Sequence, residues 1–176
     1  MKLTVLSVAV AALALVGTAQ ADTYGYSGDT TGLATFDRPL AGFGGLSAFG
    51  TDVNYHALTF TVSVGGSYDF LSTASGWDNF LLLYSSFDAS APLSNGLIGN
   101  DDLGAIGVSG FSYTLTAGAS YTLVTTGFEG GVDFGAFSNS IDGPGAVSPV
   151  PEPATYGLMA LGLAGLGALA RRRKAA

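Results

Sequence analysis

Residues 58–64 read Leu-Thr-Phe-Thr-Val-Ser-Val, a run in which every second side chain is apolar and each side chain between them carries a hydroxyl. Successive side chains of a β-strand point to opposite faces, so this period of two predicts a strand with one buried and one exposed face. Gly65 and Gly66 follow directly, and a glycine pair is typical of a two-residue hairpin turn. We therefore predict a hairpin whose second strand contains Tyr68 and Phe70.

Two further stretches extend the pattern. In residues 111–123, aromatic and leucine side chains alternate with Ser and Thr, and Ala117-Gly118-Ala119 predicts a turn into a return strand. Residues 80–84, Phe-Leu-Leu-Leu-Tyr, are apolar at every position, which predicts a central strand that is covered on both faces. Shorter candidate strands are residues 24–26, 33–37 and 136–141.

The number and spacing of these strands predict the fold class. About eight short strands with glycine-rich turns are typical of an all-β, antiparallel β-sandwich, here of a jelly-roll-like type. We place this domain at residues 22–145.

The charge of that domain excludes one class of partner. Of the 13 acidic residues all but Glu152 lie between Asp22 and Val150, whereas Arg38 is the only one of the 6 basic residues there. Such a surface repels phosphate backbones, so we predict no nucleic-acid partner. Cations, neutral polymers and basic surfaces fit it better.

The N-terminal residues 1–21 have the pattern of a secretory signal peptide. Lys2 precedes an apolar run, and Ala19-Gln20-Ala21 has the small-residue form of a cleavage site. We expect cleavage after Ala21, with a buried helix over residues 3–16 as the alternative. The chain has no Cys, which does not conflict with export.

The other end combines three features. Residues 146–153 predict a linker that exposes Pro151, Glu152 and Pro153, and the prolines on either side of the acid favour extended backbone. Residues 154–170 carry no charge and predict a transmembrane helix. Residues 171–176 predict a basic cytoplasmic tail, because a positive cluster stays on the cytoplasmic side. That cluster consists of Arg171, Arg172, Arg173 and Lys174.

This order of Pro-Glu-Pro, hydrophobic segment and basic cluster resembles the PEP-CTERM sorting signal of exopolysaccharide-producing bacteria. The resemblance covers residues 147–174 and implies a function for the tail. It implies that the membrane protease exosortase recognises Pro151, Glu152 and Pro153, cuts near them, and releases or re-attaches the outer domain. The alternative is a plain single-span membrane anchor.

A second resemblance covers residues 55–143. Residues 78–84, the loop Asn100-Asp101-Asp102 and residues 115–124 are similar to the bacterial pre-peptidase C-terminal domain. The resemblance implies a β-sandwich accessory module of the kind found in secreted enzymes.

Catalytic groups are scarce in this sequence. His56 is the only histidine, no G-x-S-x-G elbow accompanies it, and it shares strand parity with Leu58 and Phe60. We therefore expect it to face inward from its strand. A glycosidase pair would have to combine Glu129 with an aspartate from another loop. We predict a protein without enzymatic activity.

The Asp and Asn side chains of the domain make calcium the candidate cofactor. Hard carboxylate and amide oxygens suit that ion. The candidate ligands lie near the ends of predicted strands, and the alternative is that they only shape turns. They are Asp78, Asp88, Asn100, Asp101 and Asp102.

Trp77, the only tryptophan, lies beside the predicted central strand. It would serve either as a core residue, which this position favours, or as a platform for a sugar ring.

Together these features predict an exported surface or extracellular-matrix protein that supports biofilm, adhesion or exopolysaccharide association. The alternative is a secreted hydrolase or a carbohydrate-binding accessory module. Loss of a measured turnover on alanine substitution at His56, Glu129 or Asp101 would favour an enzyme.

Overall fold

The structure is a computed structural model that describes residues 21–151. Within this range the chain forms strands and no helix. The strands are β1 (Asp22–Asp29), β2 (Thr35–Phe36), β3 (Val53–Val62), β4 (Gly66–Ala74), β5 (Asn79–Tyr84), β6 (Gly96–Asn100), β7 (Val108–Leu115), β8 (Ser120–Gly127), β9 (Ala136–Gly143) and β10 (Val147–Pro149).

All strand pairs are antiparallel, and they form two sheets. The first sheet has the order β1-β9-β4-β7. The second has the order β10-β3-β8-β5-β6, with the short β2 also paired to β3. Without β2 and β10, the chain distributes eight strands between two four-stranded sheets in the order of a jelly roll. The predicted all-β sandwich is confirmed.

The two glycine turns do not close hairpins, and this part of the sequence prediction is wrong. Gly65 leads from β3 in the second sheet to β4 in the first, and Gly118 leads from β7 in the first sheet to β8 in the second. Gly118 has φ +73°, a backbone conformation that L-residues with side chains rarely adopt. Each turn therefore folds the chain over the edge of the sandwich.

The alternation of side chains has the expected result, a core between the sheets. Phe60 and Val62 of β3 pack with Phe70, Leu123 and other side chains of the inner faces. Burial of apolar surface contributes about 25 cal/mol per Å², so this layer stabilises the sandwich.

A second apolar cluster covers the other face of the second sheet. Phe80, Leu82 and Tyr84 of β5 contribute to it, whereas Leu81 and Leu83 point into the core between the sheets. Phe43 and Phe87, from the loops before β3 and after β5, pack over the cluster. All six residues of β5 are buried, and the strand lies between β8 and β6, so the predicted central strand is confirmed.

The segment that precedes the Pro-Glu-Pro stretch is also part of the fold. Residues 147–149, predicted as linker, form β10, which pairs along β3. Beyond it, the amide of Val150 donates to the carbonyl of Thr59 at 2.8 Å. The prediction of a linker is wrong for these residues, because the sheet continues to Val150.

Candidate functional site

Three aspartates meet at one end of the second sheet. Asp78 directly precedes β5, whereas Asp101 and Asp102 directly follow β6. β5 and β6 are antiparallel neighbours, so the start of one lies beside the end of the other. One carboxylate oxygen from each aspartate lies within 4.8 Å of the other two. The structure thus brings together three of the five predicted ligands.

Burial and mutual repulsion make these carboxylates unusual. Burial, followed by the charges of Asp78 and Asp102, raises the pKa of Asp101 to about 6. Burial and the charges of Asp102 and Asp133 also raise the pKa of Asp78. One oxygen each of Asp78 and Asp101 is buried without a hydrogen-bond partner among the described residues. An added cation would relieve both the repulsion and the lack of partners.

Arg38 is the positive charge near this cluster. It is only 1% exposed, and its guanidinium donates to the Pro39 carbonyl at 3.0 Å, the Ser47 hydroxyl at 3.1 Å and the Phe128 carbonyl at 3.0 Å. It also lies 4.0 Å from the centre of the Phe80 ring. Burial lowers the pKa of Arg38, and the charges of Asp101 and Asp78 oppose that effect. The sequence analysis did not predict that Arg38 is buried. The one signal in the sequence is that Arg38 is the only basic residue of the domain.

The other two predicted ligands have different contacts. Asp88 follows β5, so it lies at the opposite end of that strand from Asp78. Its carboxylate accepts from the amide and hydroxyl of Ser90 at 2.9 and 2.7 Å, as a turn-forming aspartate does. The side-chain oxygen of Asn100 accepts from the amide of Gly110 at 3.1 Å. The expectation that Asp88 joins the other ligands is wrong.

The residues considered for catalysis and sugar stacking pack into the fold or lie on its surface. His56 packs against Tyr26 and Phe137, with ring centroids 5.9 and 5.4 Å away. Trp77 is 9% exposed and donates to the Ala136 carbonyl at 3.0 Å, which agrees with its predicted role in the core. Glu129 is exposed in the segment that follows β8.

The outer face of the first sheet is rich in hydroxyls and carboxylates. Asp69 of β4 lies directly opposite Asp142 of β9. A groove of about 440 Å³ beside this pair is lined partly by Leu71 and Leu103, which are 37% and 54% exposed. The exposed or half-buried hydroxyl side chains of these strands are Thr23, Ser27, Ser67, Thr73, Ser112, Thr114, Ser138 and Ser140.

This acidic face belongs to a domain without an exposed basic side chain. Arg38 is the only Lys or Arg in residues 21–151, and it is buried. Every exposed Asp, Glu, Lys or Arg side chain of the described range is therefore a carboxylate. Ligands that carry positive charge or donate hydrogen bonds fit such a surface.

The predicted processing sites lie mostly beyond the described range. Ala21 and Pro151 are its first and last residues, and both are exposed. Ala19, Glu152, Pro153, the predicted helix at residues 154–170 and the basic cluster lie outside it. Within residues 21–151 there is no helix long and apolar enough to cross a membrane.

Comparison with known proteins identifies the tail. Residues 149–174 match the family model of the PEP-CTERM protein-sorting motif. No curated protein matches the chain. A solved structure with some similarity is a cleaved adhesin domain of Lys-gingipain from Porphyromonas gingivalis, at 14% identity. The match covers 70% of this chain and 91% of that one, with a TM-score of 0.31.

The sorting motif implies processing by exosortase, a membrane protein. The resemblance seen in the sequence is confirmed by this match. The chain carries the PEP-CTERM protein-sorting motif of exported proteins, whose membrane-anchored precursor is destined for the cell surface.

Proposed function

We propose that this chain is an exosortase-processed surface protein whose sandwich binds extracellular polysaccharide without catalysing a reaction, and thereby supports adhesion or biofilm. The observation that carries the proposal is a PEP-CTERM motif joined to a domain with a hydroxyl- and carboxylate-rich sheet face. In this proposal the signal peptide of residues 1–21 directs export, and the sandwich, predicted at residues 22–145 and extended by β10, is the binding domain.

The outer face of the first sheet suits a polysaccharide for two chemical reasons. Sugar hydroxyls donate hydrogen bonds, and a carboxylate is a stronger acceptor than a neutral group. The carboxylates of Asp69 and Asp142 lie side by side, beside the exposed apolar surface of Leu71. Asp69 already accepts from Ser112, and Asp142 from Thr23 and Ser140, but each carboxylate has lone pairs left for a ligand. Like charges that face each other across a strand pair destabilise a sheet, and a ligand that donates to both relieves the repulsion.

The test is retention of the secreted protein on the exopolysaccharide of its own cells. Replacing Asp69→Asn together with Asp142→Asn keeps the shape of the face but removes both charges. A hydrogen bond to a charged group contributes about 1.5–3 kcal/mol, so we expect retention to fall by about tenfold or more. Retention would be measured by co-sedimentation of the purified secreted protein with the polysaccharide.

The matched control is Asp52→Asn, which removes one exposed carboxylate from the turn before β3, away from the first sheet. This variant should be retained like the wild type. Equal retention of the double variant and the wild type would contradict binding at this face.

We further propose that Asp78, Asp101 and Asp102 hold calcium. The support is the 4.8 Å grouping of their oxygens and the two buried oxygens without partners. Calcium takes six to eight oxygen ligands, so backbone carbonyls or water would complete the site. Calcium bound between the carboxylates would strengthen the end of the sandwich where β5 and β6 meet.

Calcium should therefore raise the melting temperature of the secreted protein, because a ligand that binds only the folded state stabilises it. At 100 times the dissociation constant the gain is about 2.7 kcal/mol, which corresponds to several degrees. Differential scanning fluorimetry with calcium and then with a chelator measures the shift. Asp101→Asn should abolish it, and Asp88→Asn should leave it unchanged. An equal shift in the Asp101→Asn variant would place calcium elsewhere.

A further inference from the structure

The last described strand holds the chain up to the edge of the sorting motif. β10 pairs with β3 so that Val147 faces Val62, Ser148 faces Thr61 and Pro149 faces Phe60. One hydrogen bond extends the pairing on each side, from the Ser63 amide to the Ala146 carbonyl at 2.9 Å and from the Val150 amide to the Thr59 carbonyl at 2.8 Å. The paired segment therefore ends at Val150, and the Pro-Glu-Pro stretch begins at the next residue.

The prolines stand where they do not interfere with this pairing. Amides alternate in direction along a strand, so the donation from Val150 to Thr59 means that positions 149 and 151 point away from β3. Both positions are proline, which has no amide hydrogen to donate. Proline on the free side of an edge strand also prevents another strand from adding there. This segment is thus suited to pair with β3 and with no further strand.

β10 pairs with the sandwich weakly enough to detach and pair again. The strand is three residues long, and only Val147 packs against the main core, whereas Ser148 and Pro149 are exposed. Short terminal strands with few buried contacts detach locally without global unfolding. Detachment would expose the backbone groups of Ser148 and Val150, which the pairing with β3 occupies.

We infer that β10 is a gate for processing: pairing with β3 and capture by exosortase compete for this segment, so that exosortase acts only on molecules in which β10 has left β3. The inference rests on the proposed function, because it requires exosortase to process the chain at its motif. A protein that binds an extended peptide commonly does so through the peptide's backbone hydrogen bonds. In the paired state those groups already bond to β3, and the sandwich stands directly beside Pro151.

A disulfide between β10 and β3 tests the gate. Directly opposite residues of an antiparallel pair have Cα atoms about 4.5–5.5 Å apart, which a disulfide spans. The double variant Thr61→Cys with Ser148→Cys supplies the only two cysteines of the chain. With the full-length protein, pulse-chase labelling of cells that contain exosortase should show conversion of the oxidised double variant slowed by about tenfold or more relative to the wild type. A reductant should restore the rate, and each single variant should convert normally.

The opposite change should accelerate processing. The amide of Ser148 points in the same direction as that of Val150, toward β3, so Ser148→Pro removes a donor of the pairing. We expect this variant to convert several times faster than the wild type, which would support the gate even if the disulfide variant failed to fold. Normal conversion of the oxidised disulfide variant, or an unchanged rate for Ser148→Pro, would overturn the gate and leave the proposed function intact. Absence of conversion in the wild type would overturn both.

Discussion

Alanine at Pro151, Glu152 and Pro153 together should leave the full-length protein as an unprocessed, cell-associated precursor. Each proline fixes its φ near −65° and disfavours helix at the residue before it, so the prolines restrict the motif to extended backbone. Alanine removes that restriction and favours helix, and the acidic side chain is lost as well. An enzyme that recognises this motif would then lack both the shape and the charge of its substrate.

Immunoblotting of whole cells and medium measures this loss, since precursor and product differ in size. We expect mature protein to fall below detection in the triple variant. Pro149→Ala is the matched control, because it removes a proline outside the Pro151-Glu152-Pro153 stretch at a position whose amide points away from β3. That control should mature at the wild-type rate. Normal maturation of the triple variant would refute the assignment of the motif as the recognition site.

Arg38→Ala should destabilise the sandwich by about 3–5 kcal/mol, because each carbonyl that loses a charged hydrogen-bond donor costs about 1.5–3 kcal/mol. The substitution leaves the carbonyls of Pro39 and Phe128 without their guanidinium partner and opens a void against Phe80. It also removes the positive charge that acts on Asp78 and Asp101. A domain with a typical stability of about 5–15 kcal/mol would lose a large part of it.

Urea unfolding of the secreted protein, followed by tryptophan fluorescence, measures this loss, because Trp77 is buried and is the only tryptophan. Arg38→Lys is the informative comparison. Lysine keeps the charge but cannot donate through a planar fork, so we expect an intermediate loss of stability. A loss of less than about 1 kcal/mol in the alanine variant would show that the buried guanidinium contributes little.

The sequence predicted the strands better than their partners. Alternation at residues 58–64 and the apolar run at residues 80–84 depend on local side-chain chemistry. The structure buries Phe60, Val62 and all of β5, but β3 ends at Val62 and Val64 is 44% exposed. A glycine turn, however, bends the chain in the same way whether the next strand joins the same sheet or crosses to the other. That choice depends on distant partners, such as β8 for β3 and β9 for β4, which no local pattern encodes.

The candidate site shows the same limit. Asp78, Asp101 and Asp102 were recognisable as oxygen donors near strand ends, but which ends meet depends on strand direction and pairing. Asp88 was misplaced because it follows the other end of β5. Prolines at positions 149 and 151 count against a strand in the sequence, whereas in the structure both amide positions face away from β3. The sequence reveals only that Arg38 is charged. Its burial depends on the loop that folds around it.

The strand order has a consequence for the timing of folding during export. β9 lies between β1 and β4 in the first sheet. The sheet is therefore complete only after residues 136–143 have been synthesised, long after β1 and β4. Among the eight main strands, only β5 and β6 are both consecutive and paired, and such a predominance of distant contacts slows folding. A chain that crosses a membrane from its N-terminal side therefore cannot close this sandwich until nearly the whole domain has emerged. Translocation that begins before residues 136–143 have been synthesised would therefore meet no completed sandwich that must first be unfolded.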